Sequence, residues 1–461
     1  MQNKKDDQKN ALSRRSFLKG SVVLGAAGTL GGITGGAGIL SSCSDKKVRY
    51  VPLKEEGTFY VPDLPDRADN GKTLKAGLVG CGGRGSGAAH DWMIAADGVT
   101  IVALGDLFQD KVDGLAMSLK KEFGVEIPAE NRFVGFDAYK KVVDSGIDVL
   151  IDCCPPVFRP DHFKYAVEKG KHAFLEKPIC VDPAGYRTII AAARQAQAKN
   201  LKVITGTQRH HERSYVESHK KIMQGYIGEI VGGNVYWNQS MLWYRERQKG
   251  WTDMEWMIRD WVNWKWLSGD HIAEQHSHNI DVFTWFSGLK PVKAVGFGSR
   301  QRRVTGDQFD NFSVDFTMEN GIHLHSMCRQ INGCESNISE FIQGTKGSWS
   351  SEGGKHSIKD LAGNIIWEYD YDAENATYKQ ISPYALEHVN LVNSIRKDMP
   401  IEQASETAVS NMAAIMGRES AYTGKAVTWD EMVASPLDYM LKDLTLGNVD
   451  MKNFVVPVPG Q

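Results

Sequence analysis

The sequence predicts an α/β protein: a doubly wound parallel sheet, then an α+β half built on an open, mainly antiparallel sheet. Three observations carry this. Short apolar runs alternate with helix-length segments from residue 74 to residue 206, the pattern of successive β–α units. After residue 206 apolar and polar residues alternate over long stretches, at 232–239, 292–300, 311–318, 321–330 and 338–344, which suits a sheet covered on one face. The 461 residues carry 54 Lys+Arg against 56 Asp+Glu, with 42% apolar and 24% charged residues. That balance excludes disorder, collagen-like repeats and a multi-span membrane protein, and it argues against a nucleic-acid partner.

Residues 1–43 read as a targeting segment. A polar start leads to Ser13-Arg14-Arg15-Ser16-Phe17-Leu18-Lys19, a twin-arginine pattern, and then to an uncharged stretch rich in Gly and Ala. Eight glycines between Gly20 and Gly38 make a poor helix for crossing a membrane. The stretch ends Leu40-Ser41-Ser42-Cys43, a lipobox pattern. The expectation is export to the periplasm or cell envelope with a lipid anchor at Cys43, the chain's one membrane contact. Residues 44–70 are polar and read as a linker. The other six cysteines have no C-x-x-C spacing. Adjacent Cys153 and Cys154 sit in an apolar run and read as buried thiols, and Cys328 and Cys334 leave a disulfide open.

Residues 74–79 read as a strand running into Gly80-Cys81-Gly82-Gly83-Arg84-Gly85, which is G-x-G-x-x-G. A helix over 86–96 and a strand over 99–104 follow, ending at Asp106. Gly80 permits the tight turn, Gly82 lets the backbone approach a pyrophosphate, and Gly85 permits close helix–strand packing. The helix N-terminus favours the anion. Asp106, 21 residues past Gly85, stands where a carboxylate accepts from ribose hydroxyls. These features predict a Rossmann-type dinucleotide site within residues 71–206. No Arg is adjacent to Asp106, and a carboxylate there repels a 2′-phosphate, so NAD is favoured over NADP. Further strands at 148–152, 173–175 and 202–206 alternate with helices at 139–145, 160–168 and 183–199. Ligands in such sheets lie beyond the strands' C-terminal ends, where Asp106, Pro155, Glu176, Lys177 and Gln208 fall.

The G-x-G-x-x-G start, Pro155-Pro156 with His162, Gly170-Lys171-His172 and Glu176-Lys177-Pro178 together resemble the Gfo/Idh/MocA family, which includes glucose–fructose oxidoreductase and inositol dehydrogenase. The likeness runs over residues 74–425. It implies NAD as cofactor, with Gly80, Gly82, Gly83, Arg84, Gly85, Asp106, Pro155, His162, Glu176, Lys177 and Gln208 around it. It also implies a substrate-binding second domain over 207–461 that forms homo-oligomers and carries a helical tail at 384–423.

Eight of the twelve tryptophans fall between Trp237 and Trp285. They serve packing or a platform for sugar rings, and both readings stand. Within this window lies Gly269-Asp270-His271-Ile272-Ala273-Glu274-Gln275-His276-Ser277-His278. On one helix Glu274 and His278 share a face, and a carboxylate beside an imidazole orients it and raises its basicity. The resemblance implies an acid/base role for His278 with an Asp where this chain has Glu274. Lys177 would hydrogen-bond the reacting oxygen and stabilise developing alkoxide charge. Glu274, His276 and His278, with His271, also form a possible metal set; none is expected in the favoured reading. Arg209, Tyr215, Trp261 and His276 are candidate substrate contacts.

Three functions follow. The first is an NAD-dependent oxidoreductase acting on a ring carbinol of a sugar, cyclitol or glycoside. The second is a redox-neutral NAD-dependent glycoside hydrolase with a transient 3-keto intermediate, attractive for an exported protein that retains its cofactor. The third is a non-catalytic sugar-binding lipoprotein.

Overall fold

A computed structural model describes residues 50–55 and 57–461. The twin-arginine stretch and Cys43 lie outside the described residues. Six parallel strands form the first sheet: β1 (Leu74–Val79), β2 (Val99–Asp106), β3 (Arg132–Val134), β4 (Val149–Asp152), β5 (His172–Leu175) and β6 (Val203–Thr205), in the order β3-β2-β1-β4-β5-β6. The connecting helices are α1 (Gly83–Ala95), α2 (Gln109–Phe123), α3 (Ala138–Asp144), α4 (Arg159–Glu168) and α5 (Pro183–Ala198). β4 is buried along its whole length, as expected for a parallel strand with helices on both faces. The order reverses between β1 and β4, which opens a crevice at their C-terminal ends.

α6 (Arg213–Met223) leads into the second sheet. Its strands are β7 (Ile230–Gln239), β8 (Pro291–Ser299), β9 (Asn311–Met318), β10 (His323–Gln330), β11 (Asn337–Gly344), β12 (Gly347–Ser350), β13 (Ser357–Asp360), β14 (Ile365–Glu368) and β15 (Val427–Thr428). They run β14-β13-β12-β11-β7-β10-β9-β8-β15, antiparallel except for the parallel pair β7–β10. Between β7 and β8 lie α7 (Asp253–Arg259), α8 (Lys265–Ser268), α9 (His271–Glu274) and α10 (Ser277–Ser287). The chain ends in α11 (Tyr371–Thr377), α12 (Pro383–Arg396), α13 (Ala404–Thr423), α14 (Trp429–Ala434) and a coil.

The two sheets share helices. α12, late in the sequence, packs on α1, so Leu386, Val389 and Val392 join Trp92 and Leu78 in one core. α13 joins the other core: Met412 and Ile415 meet Ala192 of α5 and Phe316 of β9. Each such side chain contributes about 1.5–3 kcal/mol when taken out of water. Residues 50–70 correct the linker expectation. Leu64 and Ala68 are buried in the α1–α12 core, the Tyr60 hydroxyl donates to Asn390 Oδ1 at 3.0 Å, and Arg213 donates to the Leu64 carbonyl at 2.8 Å. Apolar side chains within a polar stretch anchor it to the body. All six described cysteines are free thiols, Cys328 buried and Cys334 exposed. No described helix is long and apolar enough to cross a membrane.

Candidate functional site

β1 delivers the glycine turn into the crevice. Gly80 has φ +89°, and a Cβ there would stand 2.5 Å from the backbone of Cys153 and Cys154 on the neighbouring strand end. A Cβ at Gly85 would stand 1.8 Å from the Gly80 carbonyl. Gly82 and Gly83 differ: beyond their own chain neighbours and helix backbone, no protein atom lies within 4 Å of a Cβ built on either. Two glycines are thus required by the turn, and two face open space at the N-terminus of α1, whose first N–H groups have no side-chain cap. An uncapped helix start behind a bare backbone turn is a cradle for a pyrophosphate. Asp106 closes one side, accepting from the Cys81 N–H at 2.7 Å and the Phe108 N–H at 3.0 Å. Burial keeps its carboxyl above the ordinary range despite these donors.

Beyond the turn an apolar pocket is lined by Val79, Leu107, Phe136, Tyr139, Pro155 and His162. The His162 ring stacks on Tyr139 at 4.0 Å between centroids. Its Nδ1 lies 3.1 Å from Asp152 Oδ2 and 3.5 Å from Cys154 Sγ. This is the one group among the described residues with three donor types close enough for a metal ion. Burial pushes the Cys154 thiol up, which keeps the protonated form. The apolar walls, with Pro155 and His162 among them, suit an adenine ring.

At the end of β5, Glu176 and Lys177 diverge. Glu176 accepts from Arg84 Nε and from the Lys177 N–H at 3.0 Å. Arg84 also pairs with Asp91 at 3.2 Å and lies over the Tyr384 ring at 4.7 Å. Arg84 Nη2, which faces the buried Glu387 carboxylate at 3.8 Å, and Gln208 Oε1 are buried without a hydrogen-bond partner, and such groups mark places where a ligand completes the set. Bare Gly82 and Gly83, the uncapped helix start, the apolar pocket and these orphans all fit a bound NAD.

Lys177 Nζ donates to the Glu274 carbonyl and pairs with Glu274 Oε1 at 3.3 Å. The expected Glu274–His278 pairing is therefore corrected. α9 ends at Glu274, its last turn closed by bonds from the Gln275 and His276 N–H groups to the His271 carbonyl, and α10 starts anew at Ser277. The two residues are not on one continuous helix, so the carboxylate turns to the lysine. Burial raises the Glu274 carboxyl while the Lys177 ammonium pulls the other way. His278 stacks on Trp237 of β7 at 5.6 Å. Burial, then the charges of Lys177 and Arg209, hold its imidazole well below the usual value and neutral.

The candidate substrate contacts fall in three places. His276 is fully buried, bonded through Nε2 to Ser326 Oγ at 2.6 Å, with its pKa lowered to about 3 by burial and by His271; it supports β10 and is not offered to a substrate. His271 Nδ1 is held by Asp270 at 2.9 Å, so the metal set of His271, Glu274, His276 and His278 is not gathered. Arg209 and Tyr215 give their polar groups to Glu340, the tyrosine at 3.0 Å. Asn279 and Ser351 donate to the same carboxylate. Trp261 lines the dinucleotide cleft with Gly82 and Gly83. The remaining tryptophans divide: Trp264 and Trp266 are buried, and Trp285 stacks on His210 at 4.0 Å. Sequence reasoning missed Glu340, and it missed Arg245 and Arg259 on the cleft. Glu340 interrupts the apolar side of β11 with a fully buried carboxylate, the signal by which it was detectable.

Comparison with known proteins fits this geometry. Residues 74–205 match the Gfo/Idh/MocA oxidoreductase family, NAD-binding Rossmann fold, and residues 215–350 match the family's C-terminal domain. Residues 11–31 match the twin-arginine translocation signal. The inositol 2-dehydrogenase of Salmonella typhimurium (strain LT2) is 28% identical over 166 residues, 36% of this chain and 46% of that protein. A glycosyl hydrolase family 109 protein of Streptomyces coelicolor is 24% identical over 228 residues, 49% of this chain and 45% of that protein. The chain thus spans about half the length of these curated relatives. The crystal structure of scyllo-inositol dehydrogenase from Lactobacillus casei with bound NAD(H) and scyllo-inositol superposes over 79% of this chain and 100% of its own, with a TM-score of 0.58 at 22% identity, and shares the fold. With a glycine turn, a six-stranded parallel sheet, an open second sheet and both family domains matched in order, the chain belongs to the Gfo/Idh/MocA family of NAD-binding oxidoreductases and carries a twin-arginine export signal.

Proposed function

We propose that this protein oxidises a ring carbinol of a sugar, cyclitol or glycoside with NAD held in the crevice above β1 and β4. The observation that carries the reading is the Lys177–Glu274 pair just past the C-terminal end of β5, with His278 close enough to feel the lysine's charge. Bound NAD would supply the acceptor for the hydride of the carbinol carbon. Lys177, fixed by Glu274, places a positive charge where alkoxide character develops. His278 is neutral and has a lone pair to accept the hydroxyl proton, and Trp237 fixes the plane of its ring. Arg209, bound to Glu340, lies over Trp237 at 5.6 Å and holds it from behind.

The redox-neutral glycoside hydrolase remains a second reading, favoured by the twin-arginine signal and by the similarity to family 109 proteins. A lipid anchor at Cys43 and homo-oligomerisation through the open sheet are part of the proposal. The test uses exported protein purified without added cofactor. Bound NAD is measured by mass spectrometry, and a cyclitol and glycoside panel is followed at 340 nm alongside released sugar. Stoichiometric NADH with an intact keto product supports the oxidoreductase; sugar release with no net NADH supports the hydrolase. Ligand binding with neither signal would refute both and leave the sugar-binding lipoprotein.

A further inference from the structure

The dinucleotide cleft, about 340 Å³, has two walls from different parts of the sequence. One is the glycine turn with Asp106 and Lys111. The other is the stretch 241–264, which places Trp243, Arg245, Trp251, Arg259 and Trp261 on the same cleft. This second wall is fastened at both edges. Toward the first wall, Arg259 lies over the Phe108 ring at 3.7 Å and pairs with Asp110 at 3.2 Å; Phe108 and Asp110 sit at the start of α2, next to Asp106. On the outside, the Met254 N–H donates to the Gly447 carbonyl at 3.1 Å and the Val449 N–H donates to Asp253 at 3.2 Å. Trp264 meets Phe454 edge to face at 6.0 Å. The C-terminal coil is thus a strap over the wall.

Arg245 is held by its backbone. Its N–H donates to Asp260 at 2.7 Å and its carbonyl accepts from Trp256 Nε1 at 2.8 Å. Its guanidinium, on an exposed coil, lies over the Trp243 ring at 5.5 Å, has no carboxylate within ion-pair distance among the described residues, and lines the cleft with Gly82 and Gly83. A fixed backbone carrying a cation with no carboxylate partner, across from an uncapped helix start, is one half of an anion clamp.

We propose that residues 241–264 are a clasped cover over the dinucleotide. Arg245 binds the pyrophosphate from the side opposite the glycine turn, and Arg259 with Asp110 latches the cover shut. The cofactor then stays in place through successive turnovers instead of exchanging with a pool. The inference rests on NAD occupying this cleft, as in the function proposed above. It also fits a protein exported folded to a compartment where a lost cofactor is not replaced.

The experiment measures exchange, not activity. Mature protein loaded with NAD is mixed with excess isotopically labelled NAD, and the bound fraction is sampled by native mass spectrometry. The wild type should hold its NAD for hours. Arg245→Ala should exchange at least about tenfold faster, the effect of losing one charge-assisted contact, and Arg245→Lys should recover part of the loss. Arg259→Ala should also exchange faster, and Asp110→Asn, a change at an exposed carboxylate, should do so by about two- to fivefold. Wild-type exchange complete within the mixing time, or Arg245→Ala and Arg259→Ala exchanging at the wild-type rate, would overturn the cover. Failure of the wild type to bind NAD in any form would instead overturn the proposed function itself.

Discussion

Lys177→Met is the sharpest test of the proposed chemistry. The side chain is 14% exposed and its partner Glu274 is 10% exposed, so the pair sits in a poorly solvated place where charge acts strongly. Removing a donor aimed at a developing oxyanion costs about 10²–10³ in rate, or roughly 2.7–4 kcal/mol. A second effect must be separated from this one. Breaking a buried pair by removing one partner destabilises by about 3–5 kcal/mol. Here Glu274 can escape much of that cost by taking up a proton, because burial already raises its pKa. The double variant Lys177→Met/Glu274→Gln removes the stranded charge altogether. It should regain most of the stability lost by Lys177→Met, read by thermal unfolding, yet stay as slow in single-turnover reduction of bound NAD at 340 nm. Lys177→Arg should not rescue the rate, since a planar fork does not replace a compact ammonium. A Lys177→Met protein with its NAD content intact and a rate within about threefold of wild type would refute the reasoning.

Four further outcomes are expected. If the ionised Glu274 fixes Lys177, activity should fall as pH drops through the raised pKa of that carboxyl, and Glu274→Gln should flatten this acid limb in a pH–rate profile. Glu340→Ala should destabilise by about 3–5 kcal/mol in denaturant titration, because it strands the buried Arg209 guanidinium, with Glu340→Gln milder. Gly82→Ala should unfold at the wild-type temperature but lose bound NAD, since only a ligand would meet the new methyl, whereas Gly80→Ala and Gly85→Ala should damage the fold itself. Burial lowers His211, His219, His276 and His356 to about 3. A folded pKa below the unfolded value means stability is full above about pH 6.5 and lost as pH falls towards 3. Each such histidine adds up to about 1.4 kcal/mol per pH unit to that slope, and His356→Gln should remove one share of it.

Periodicity located the strands that matter most for the site. The sequence-derived bounds of the first strand and of 311–318 coincide with β1 and β9, because each alternates or runs apolar over its full length. Strands β12 to β15 have two to four residues, too few for a period to show. α2 lies outside the sequence-derived elements, although Val112, Leu115, Ala116 and Leu119 lie on one face. The glycine turn and Glu176-Lys177 were legible because backbone geometry ties those residue types to those places. What spacing could not show is pairing across the fold. Lys177 meets Glu274 over 97 residues and Arg209 meets Glu340 over 131. The i,i+4 expectation for Glu274 and His278 assumed a continuous helix, and the chain breaks between them. Asp270 starts α9 with φ 71°, an uncommon conformation held by bonds to His271, Phe309 and Tyr422.

That break decides how charge is shared at the site. Had Glu274 faced His278, the imidazole would be a stronger base and an imidazolium would be the natural holder of the substrate's proton. With Glu274 turned to Lys177, the carboxylate fixes the ammonium and offsets its charge only in part, and burial, with Lys177 and Arg209 nearby, leaves His278 neutral. An imidazole in that setting accepts a hydrogen bond readily but holds a proton poorly. On the proposed reading it therefore takes the hydroxyl proton as the hydride leaves, and releases it to water with the product or returns it when the carbonyl is reduced in place, while Lys177, its charge partly offset by Glu274, stabilises the alkoxide in both directions. Such a balance favours neither direction strongly. It suits reversible oxidation and reduction at one carbon, the property that the dehydrogenase and the redox-neutral hydrolase readings have in common, so what separates them lies in whether the cofactor leaves, and hence in the cover over the cleft.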